Sequence, residues 1–415
     1  MDSLWIFLPF FWLGAGVSLF AVVHRRTLWA LWHEPVLRQP VLIIESDDWG
    51  PAPASDVQVL ERLIRLLSKH RDSTGQPAVM TLGLVLAIPD GTRIRDNNLR
   101  QYHQQSIADE RFESLRQAFS TGVRQGVFSL QLHGMEHFWP ESIMASVRDN
   151  DNLRSWLTSD TPVAEHLPAA LQSRWCDGSV LPTRELDAII VRQAAFEEAE
   201  AFSQIFGQMP AVAVPPTFIW NDAVEEGWAK AGVHVVISPG RRLDGRDSNG
   251  RPVGPSPNQP DGLHLNGMRN RHGQTYLIRN AWFEPLRGHT AVQAIDTLKR
   301  HASLGRPVLF ETHRSNFVGE SPGVESAFEE LDGLLRKALQ RFPMVRFCSS
   351  EQLAERLSES DFNWIESSYR RRFIVFLRRV LINQYLHRLA VVTGTYLVAR
   401  ICLWLSILRT RWLTV

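Results

Sequence analysis

Cysteine is scarce in this chain of 415 residues, with only three in all. Cys176, Cys348 and Cys402 lie far apart and are odd in number, which excludes a disulfide framework and a zinc site built on cysteines. Such usage fits a reducing compartment. Acidic residues are missing from Ser367 to Val415, a stretch that holds nine Arg. Residues 34–366 show the reverse, with 34 Lys and Arg against 43 Asp and Glu, so the net charge of +1 hides an acidic body and a basic tail. Trp404, Trp412 and many Leu, Ile and Val interleave with the tail arginines. That mixture suits a membrane surface and argues against a nucleic-acid partner. No internal repeat is present. With 44% hydrophobic and 21% charged residues the chain affords a sizeable core and is not generally disordered.

One long apolar run stands near the N-terminus. Leu4 to Val23 is twenty residues without a charge, and at ~1.5 Å per residue a helix of that length reaches roughly 30 Å, enough to cross a bilayer. Asp2 precedes it, with no Lys or Arg and no small-x-small site, so it reads as an anchor and not as a cleaved signal. Arg25 and Arg26 follow directly, which predicts an outer N-terminus and a cytoplasmic body, as at a bacterial inner membrane. In the tail, Leu389 to Leu408 is long enough to span but contains Arg400. Residues 370–415 therefore read as interfacial amphipathic helices, with a second span as the alternative. The organisation expected is an anchor over 1–33, a catalytic domain over 34–366 and a membrane-associated tail over 367–415.

Within the body, strand and helix patterns alternate. Strands are predicted at 41–45, 78–88, 127–132, 211–214, 233–237, 275–279, 307–310 and 344–347. Helices are predicted from Ser55 onward, at 106–123, 185–206, 221–231, 290–304 and 325–341, and after Ser349 or Ser350. The alternation predicts an α/β domain, a (β/α) barrel with a mostly parallel sheet. The stretch 239–275 is rich in Gly, Pro, Asn and Arg and reads as a lid or substrate loop.

Reactive side chains gather at predicted C-terminal strand ends, where such folds build active sites. Asp47 and Asp48 are adjacent carboxylates whose side chains alternate in direction, so that one can hold a cation while the other faces substrate. His133-Gly-Met-Glu-His137 sets two imidazoles at i and i+4, which on a helical turn share a face. A carboxylate and two histidines from separate strand ends make a His₂-carboxylate metal site with open positions. His313, after Val308-Leu-Phe310, is a candidate general acid, and Trp282 a candidate aromatic wall for sugar or acyl group. Trp49 and Arg314, next in sequence to site residues, complete the candidate substrate contacts.

In this order the residues resemble the polysaccharide deacetylase family, the nodulation-type carbohydrate esterases. The resemblance covers roughly residues 41–357 and implies a distorted (β/α) barrel. Ser46-Asp-Asp-Trp-Gly50 looks like the first motif, which makes Asp47 the base and Asp48 a metal ligand. His133 to His137 looks like the second, and Thr312-His313 like the last, which makes His313 the general acid. Three positions depart from the family pattern. Val214 stands before Pro215-Pro216 where an Arg orients the base, so that Arg is missing or supplied from elsewhere. Asn280 replaces an Asp two residues before Trp282, and Gly134 replaces Ser or Thr.

The expectation is a hydrolase dependent on Zn²⁺, or on Co²⁺ or Ni²⁺, that removes an N-acyl group from an amino sugar during cell-surface polysaccharide synthesis. A substrate linked to a membrane lipid would meet Arg241, Arg242, Arg269 and Arg271 through its phosphates. The alternatives are a glycoside hydrolase using carboxylates such as Asp47 and Glu311 without metal, and an inactive sugar-binding membrane protein.

Overall fold

The computed structural model describes residues 3–255 and 262–411, with side chains from Phe11 to Ile407. Nine strands form one parallel sheet: β1 (Val41–Trp49), β2 (Met80–Leu84), β3 (Phe128–Leu132), β4 (Val212–Ala213), β5 (Val235–Ser238), β6 (Thr275–Ile278), β7 (Ala281–Trp282), β8 (Val308–His313) and β9 (Arg346–Phe347). The order is β6-β5-β4-β3-β2-β1-β8-β7, with β9 paired to the start of β1. The ends of this series, β6 and β7, are separated in sequence only by Arg279 and Asn280. The Asn280 side chain donates to Pro307 O at 2.9 Å and accepts from Leu309 N at 3.1 Å, tying the end of β6 to the start of β8. The sheet thus curls into a barrel. Its weak seam lies between β3 and β4, which share the single pair Leu132↔Ala213.

Residues 41–44 of β1 are apolar on both faces because helices cover a parallel sheet from outside while the barrel fills from within. The covering helices are α3 (Ser55–Ser68), α4 (Glu113–Arg124), α5 (Ala188–Phe206), α6 (Asp222–Lys230), α7 (Ala291–Ser303), α8 (Pro322–Arg341) and α9 (Ser350–Ser358). Two of them start on capping boxes, Thr290 with Gln293 and Ser349 with Gln352, so polar side chains satisfy their first amides.

Three sequence expectations need correction. The helix expected from 106 starts at Glu113, because Gln104–Ser106 pairs antiparallel with Ala87–Pro89. The stretch 239–275 is partly built: Gly245–Arg246 pairs with Pro252–Val253, and Arg242 is ion-paired to Glu225 at 2.7 Å. Residues 256–261 of that stretch lie outside the described residues. Short helices at Pro140–Ser146 and Asp151–Leu157, not anticipated, pack on a small core of their own around Ile94, Phe138, Ile143 and Leu157.

Five further helices lie at the chain ends: α1 (Ser3–Val23), α2 (Arg25–His33), α10 (Tyr369–Ile382), α11 (Gln384–Val392) and α12 (Thr395–Arg411). Among the described residues no single helix is long and apolar enough to cross a membrane; α11 and α12 pass that test together but meet at 103°. The expected Leu4–Val23 span falls within α1, and the side chains of its first part lie outside the described residues. Arg379, within the stretch 370–415 read as interfacial amphipathic helices, is instead buried against the body. Its guanidinium donates to Leu304 O at 2.9 Å, Glu34 O at 2.8 Å and Pro35 O at 2.9 Å, and lies 3.3 Å from the Glu34 carboxylate.

Candidate metal centre

The site lies at the C-terminal ends of β1, β3 and β8. Register in β1 slips against β2 between Ser46 and Trp49, and Asp48 takes the left-handed conformation at φ 66°. A bulge of this kind re-aims a side chain at a strand end. The result brings Asp48 Oδ1 to 3.4 Å from His133 Nε2 and 3.5 Å from His137 Nε2. The three ligand atoms all lie within 4.8 Å of one another.

The two histidines meet without a helical turn. His133 leaves β3 and Gly134 turns back at φ 106°, where a Cβ would come within 2.8 Å of Glu136 O. A buried network holds this turn. Glu198 accepts from Met135 N at 2.9 Å and from Arg174 Nε at 2.8 Å, and Arg174 Nη1 donates to Glu136 at 2.7 Å. None of Arg174, Glu136 or Glu198 was singled out from sequence; nothing in their spacing signals a shared role.

These residues fit a divalent cation. Asp48 Oδ1 is buried and has no hydrogen-bond partner among the described residues. At metal–ligand distances of about 2.0–2.2 Å, tetrahedral ligands stand roughly 3.3 Å apart, close to the spacing found. His133 Nδ1 donates to Val214 O at 2.9 Å, which fixes the tautomer and leaves Nε2 its lone pair. Burial depresses the His137 imidazole to about 4, so it stays neutral. Burial alone would also lower His133, but Asp47 and Asp48 outweigh it and the net shift is upward.

Asp47 points elsewhere. Arg279 Nη1 and Nη2 grip its two oxygens at 2.5 and 3.1 Å, while Nε binds Glu45 at 2.7 Å. Burial would raise the Asp47 carboxyl, yet Arg279 and His133 prevail and hold it below the usual range. Gly83 leaves the room this side chain uses: a Cβ there would stand 2.5 Å from Asp47 Oδ1. The Arg missing before Pro215 is thus supplied by Arg279, on the strand end after β6. Glu311 also faces Arg279, at 3.9 Å.

His313 is the register partner of Asp47 on the neighbouring strand. Its Nδ1 lies 2.6 Å from Glu284 Oε1, and Asn316 Nδ2 donates to the other Glu284 oxygen at 2.6 Å. Burial would lower this imidazole, but the Glu284 bond and the fields of Asp48 and Asp47 push it up to about 10. Glu284 was not anticipated, being two residues past the end of β7 with no motif of its own.

A cavity of about 150 Å³ opens beside Asp48 and His137. Val85, Ile88, Phe138 and Trp156 form its apolar side, and Arg314 and Glu165 its polar side. Burial and the nearby Asp48 push Glu165 up to about 7. The segment 161–165, and none of the described part of 239–275, contributes to its wall. Arg314 is held by Asp56 at 2.5 Å. Trp49 belongs to the core at 1% exposure, donates to Ser46 Oγ at 2.9 Å, and forms part of the cavity floor. Trp282 does not line this cavity; it stands 55% exposed in register with Glu311. Of the four arginines expected to meet phosphates, Arg242 and Arg271 are ion-paired to Glu225 and Asp222. The same pairs neutralise the Asp222–Glu225–His272 group, the second acid–histidine cluster among the described residues.

No family model and no curated protein matches the chain. The solved structures that match are mostly carbohydrate esterases of family 4 and polysaccharide deacetylases, the kind of protein the motifs resemble. A polysaccharide deacetylase from Mycobacterium smegmatis is 13% identical, with 81% of this chain and 99% of that one covered and a TM-score of 0.36. A family 4 acetyl xylan esterase from Clostridium thermocellum, in complex with a cobalt ion, is 10% identical over 75% of this chain and 89% of that one, at 0.33. A 4-α-glucanotransferase from Thermococcus litoralis is 8% identical at 0.39; 83% of this chain is covered, and it spans 44% of that protein's length. Overlaps this loose decide nothing about reaction or substrate, which rest on the side chains.

Proposed function

We propose that this chain is a metal-dependent hydrolase that removes an N-acyl group, such as acetyl, from an amino sugar. The observation that supports it best is the Asp48–His133–His137 triad set between two side chains of opposite protonation. Asp47 is held ionised by Arg279, and His313 is held protonated by Glu284. A divalent cation on the triad, Zn²⁺ or else Co²⁺ or Ni²⁺, would polarise the acyl carbonyl and lower the pKa of a water beside it. Asp47 accepts the proton of that water as it attacks. His313, one strand away, returns a proton to the departing amine nitrogen. Arg279 and Glu284 keep each partner in its charge state and orientation. The cavity, with an apolar wall facing Arg314 and Glu165, suits a sugar ring with its apolar face and polar rim. Trp282 offers a further wall for the part of the substrate outside it.

The apolar run Leu4–Val23 and the basic, apolar tail support a membrane-bound protein in this reading, with Arg25 and Arg26 favouring a cytoplasmic body in a bacterial inner membrane. The test of the chemistry is amine release from N-acetylated amino-sugar oligomers, with elemental analysis of the purified protein. One ion per chain is expected, with loss of activity on chelation and recovery on adding metal back. Turnover untouched by chelation, or full metal retention in both His133→Ala and His137→Ala, sinks the reading.

A further inference from the structure

The chain-end helices hold the body at the starts of β1 and β8. The body residues that α10 grips through Arg378 and Arg379 include Glu34, Pro35, Ser303, Leu304 and Gly305. All of them precede the first residues of β1 and β8, Val41 and Val308. The metal centre lies past the other ends of the same strands. Asp48 is seven residues beyond Val41, and at ~3.3 Å per residue that is roughly 23 Å along the strand.

The helices carry an apolar surface that the body does not cover. Phe11 is 77% exposed, Trp29 65%, Val392 68% and Trp404 61%. Packing among the helices is close enough to make them one platform. A Cβ on Gly16 of α1 would stand 2.5 Å from Thr393 O at the bend between α11 and α12, and one on Gly394 would stand 2.6 Å from Leu13. Close approach through small residues is how helices associate where apolar burial supplies no drive. With nine Arg and no acid from Ser367 to Val415, the partner that fits this surface is a bilayer containing anionic lipid.

We infer that the platform holds the barrel with its catalytic mouth turned away from the bilayer, so that the enzyme acts on N-acylated sugar units standing well off the membrane surface. This rests on the deacetylase reading for its chemistry and on the fold for its geometry. A single sugar joined through a diphosphate to a membrane lipid lies at headgroup level and does not reach the site. A soluble oligosaccharide does, and so do the distal units of a long chain. The lipid-linked substrate expected from sequence is therefore narrowed, in that a single lipid-linked sugar is no longer preferred.

Two measurements on the full chain in phosphatidylglycerol–phosphatidylcholine vesicles test this. In a Cys402→Ser background, a fluorophore is attached through Thr161→Cys at the cavity wall or Val392→Cys on the platform, and the vesicles carry brominated acyl chains. Strong quenching at Val392→Cys with none at Thr161→Cys is expected. Quenching at Thr161→Cys overturns the orientation, and quenching at neither position overturns the bilayer as partner. In the second arm, unlabelled protein is given soluble N-acetylated oligomers, long lipid-linked chains, or a lipid-linked N-acetylated monosaccharide. Release of amine from either of the first two, at least tenfold faster than from the third, is expected. A preference for the lipid-linked monosaccharide overturns the inference. Failure on all three sinks the deacetylase reading, while the quenching result still decides the orientation.

Discussion

Arg279 binds both carboxylate oxygens of Asp47, at 2.5 and 3.1 Å, from the strand end that closes the barrel. The pair is buried and bidentate, a geometry that a lysine ammonium cannot reproduce. Arg279→Lys should therefore keep the metal and lose turnover by about 10²-fold or more, within the range for disabling a general base. Arg279→Ala should go further and destabilise the fold by about 3–5 kcal/mol, because Glu45 and Asp47 are left buried and uncompensated. Rate, metal content and thermal midpoint on the two variants check this. Unchanged turnover in Arg279→Lys would show that Asp47 needs no such anchor.

The adjacent carboxylates should separate binding from chemistry. Asp48→Asn removes the negative charge that faces both histidines and should lower metal occupancy together with rate. Asp47→Asn should retain the ion and lose about 10²–10⁴-fold in rate. Side-by-side elemental analysis and amine release decide it. Loss of metal in Asp47→Asn but not in Asp48→Asn would reverse the two roles.

Protonation of His313 should set the alkaline limb of the rate profile. Its pKa lies above that of a free imidazole, so the donor form is present at low pH and lost as pH rises through the folded value. A cation on Asp48 offsets part of that carboxylate's field, so the limb in the loaded enzyme falls below 10. Glu284→Gln removes a negative charge that favours the proton and should move the limb to lower pH, with the metal retained. Imidazole titration by NMR alongside the pH–rate profile measures both. A limb that stays in place would exclude His313 as the acid.

The metal-binding turn should depend on Glu198, which touches no ligand atom. Glu198→Gln keeps the shape but leaves Arg174 with Glu136 as its buried counter-charge. Metal affinity should fall about 10–100-fold, the usual cost of disturbing groups behind metal ligands. A competition titration with a chromophoric chelator reads this, with circular dichroism to show that the fold persists. Full affinity in a folded Glu198→Gln protein would show that the turn holds itself.

Much of this arrangement was legible in local sequence. Apolar runs ending in charged residues at 41–48 and 308–313 mark strands that stop at a site, because a parallel strand is covered on both faces and only its end meets solvent. Asp47, Asp48, His133, His137 and His313 are readable on that ground, as is the basic apolar tail. What sequence could not show is which groups arrive from far along the chain. Arg279 lies 232 residues from Asp47 and meets it only because residues 275–282 close the barrel between β5 and β8. Glu284 reaches His313 and Glu198 reaches Met135 in the same way, through packing that carries no local pattern. The assumed helical turn at His133 gave way to a loop on Gly134, since backbone conformation there answers to Arg174 and Glu198 and not to spacing. Arg379 reads as a surface charge in its own helix, and only the carbonyls of residues 35, 304 and 305, gathered at one end of the barrel, make it a buried latch. Composition and strand-end chemistry are local properties, so sequence determined the elements and the candidate metal ligands. Charge pairing across the site and the direction in which its mouth opens depend on contacts between distant segments, and those the tertiary structure alone decided.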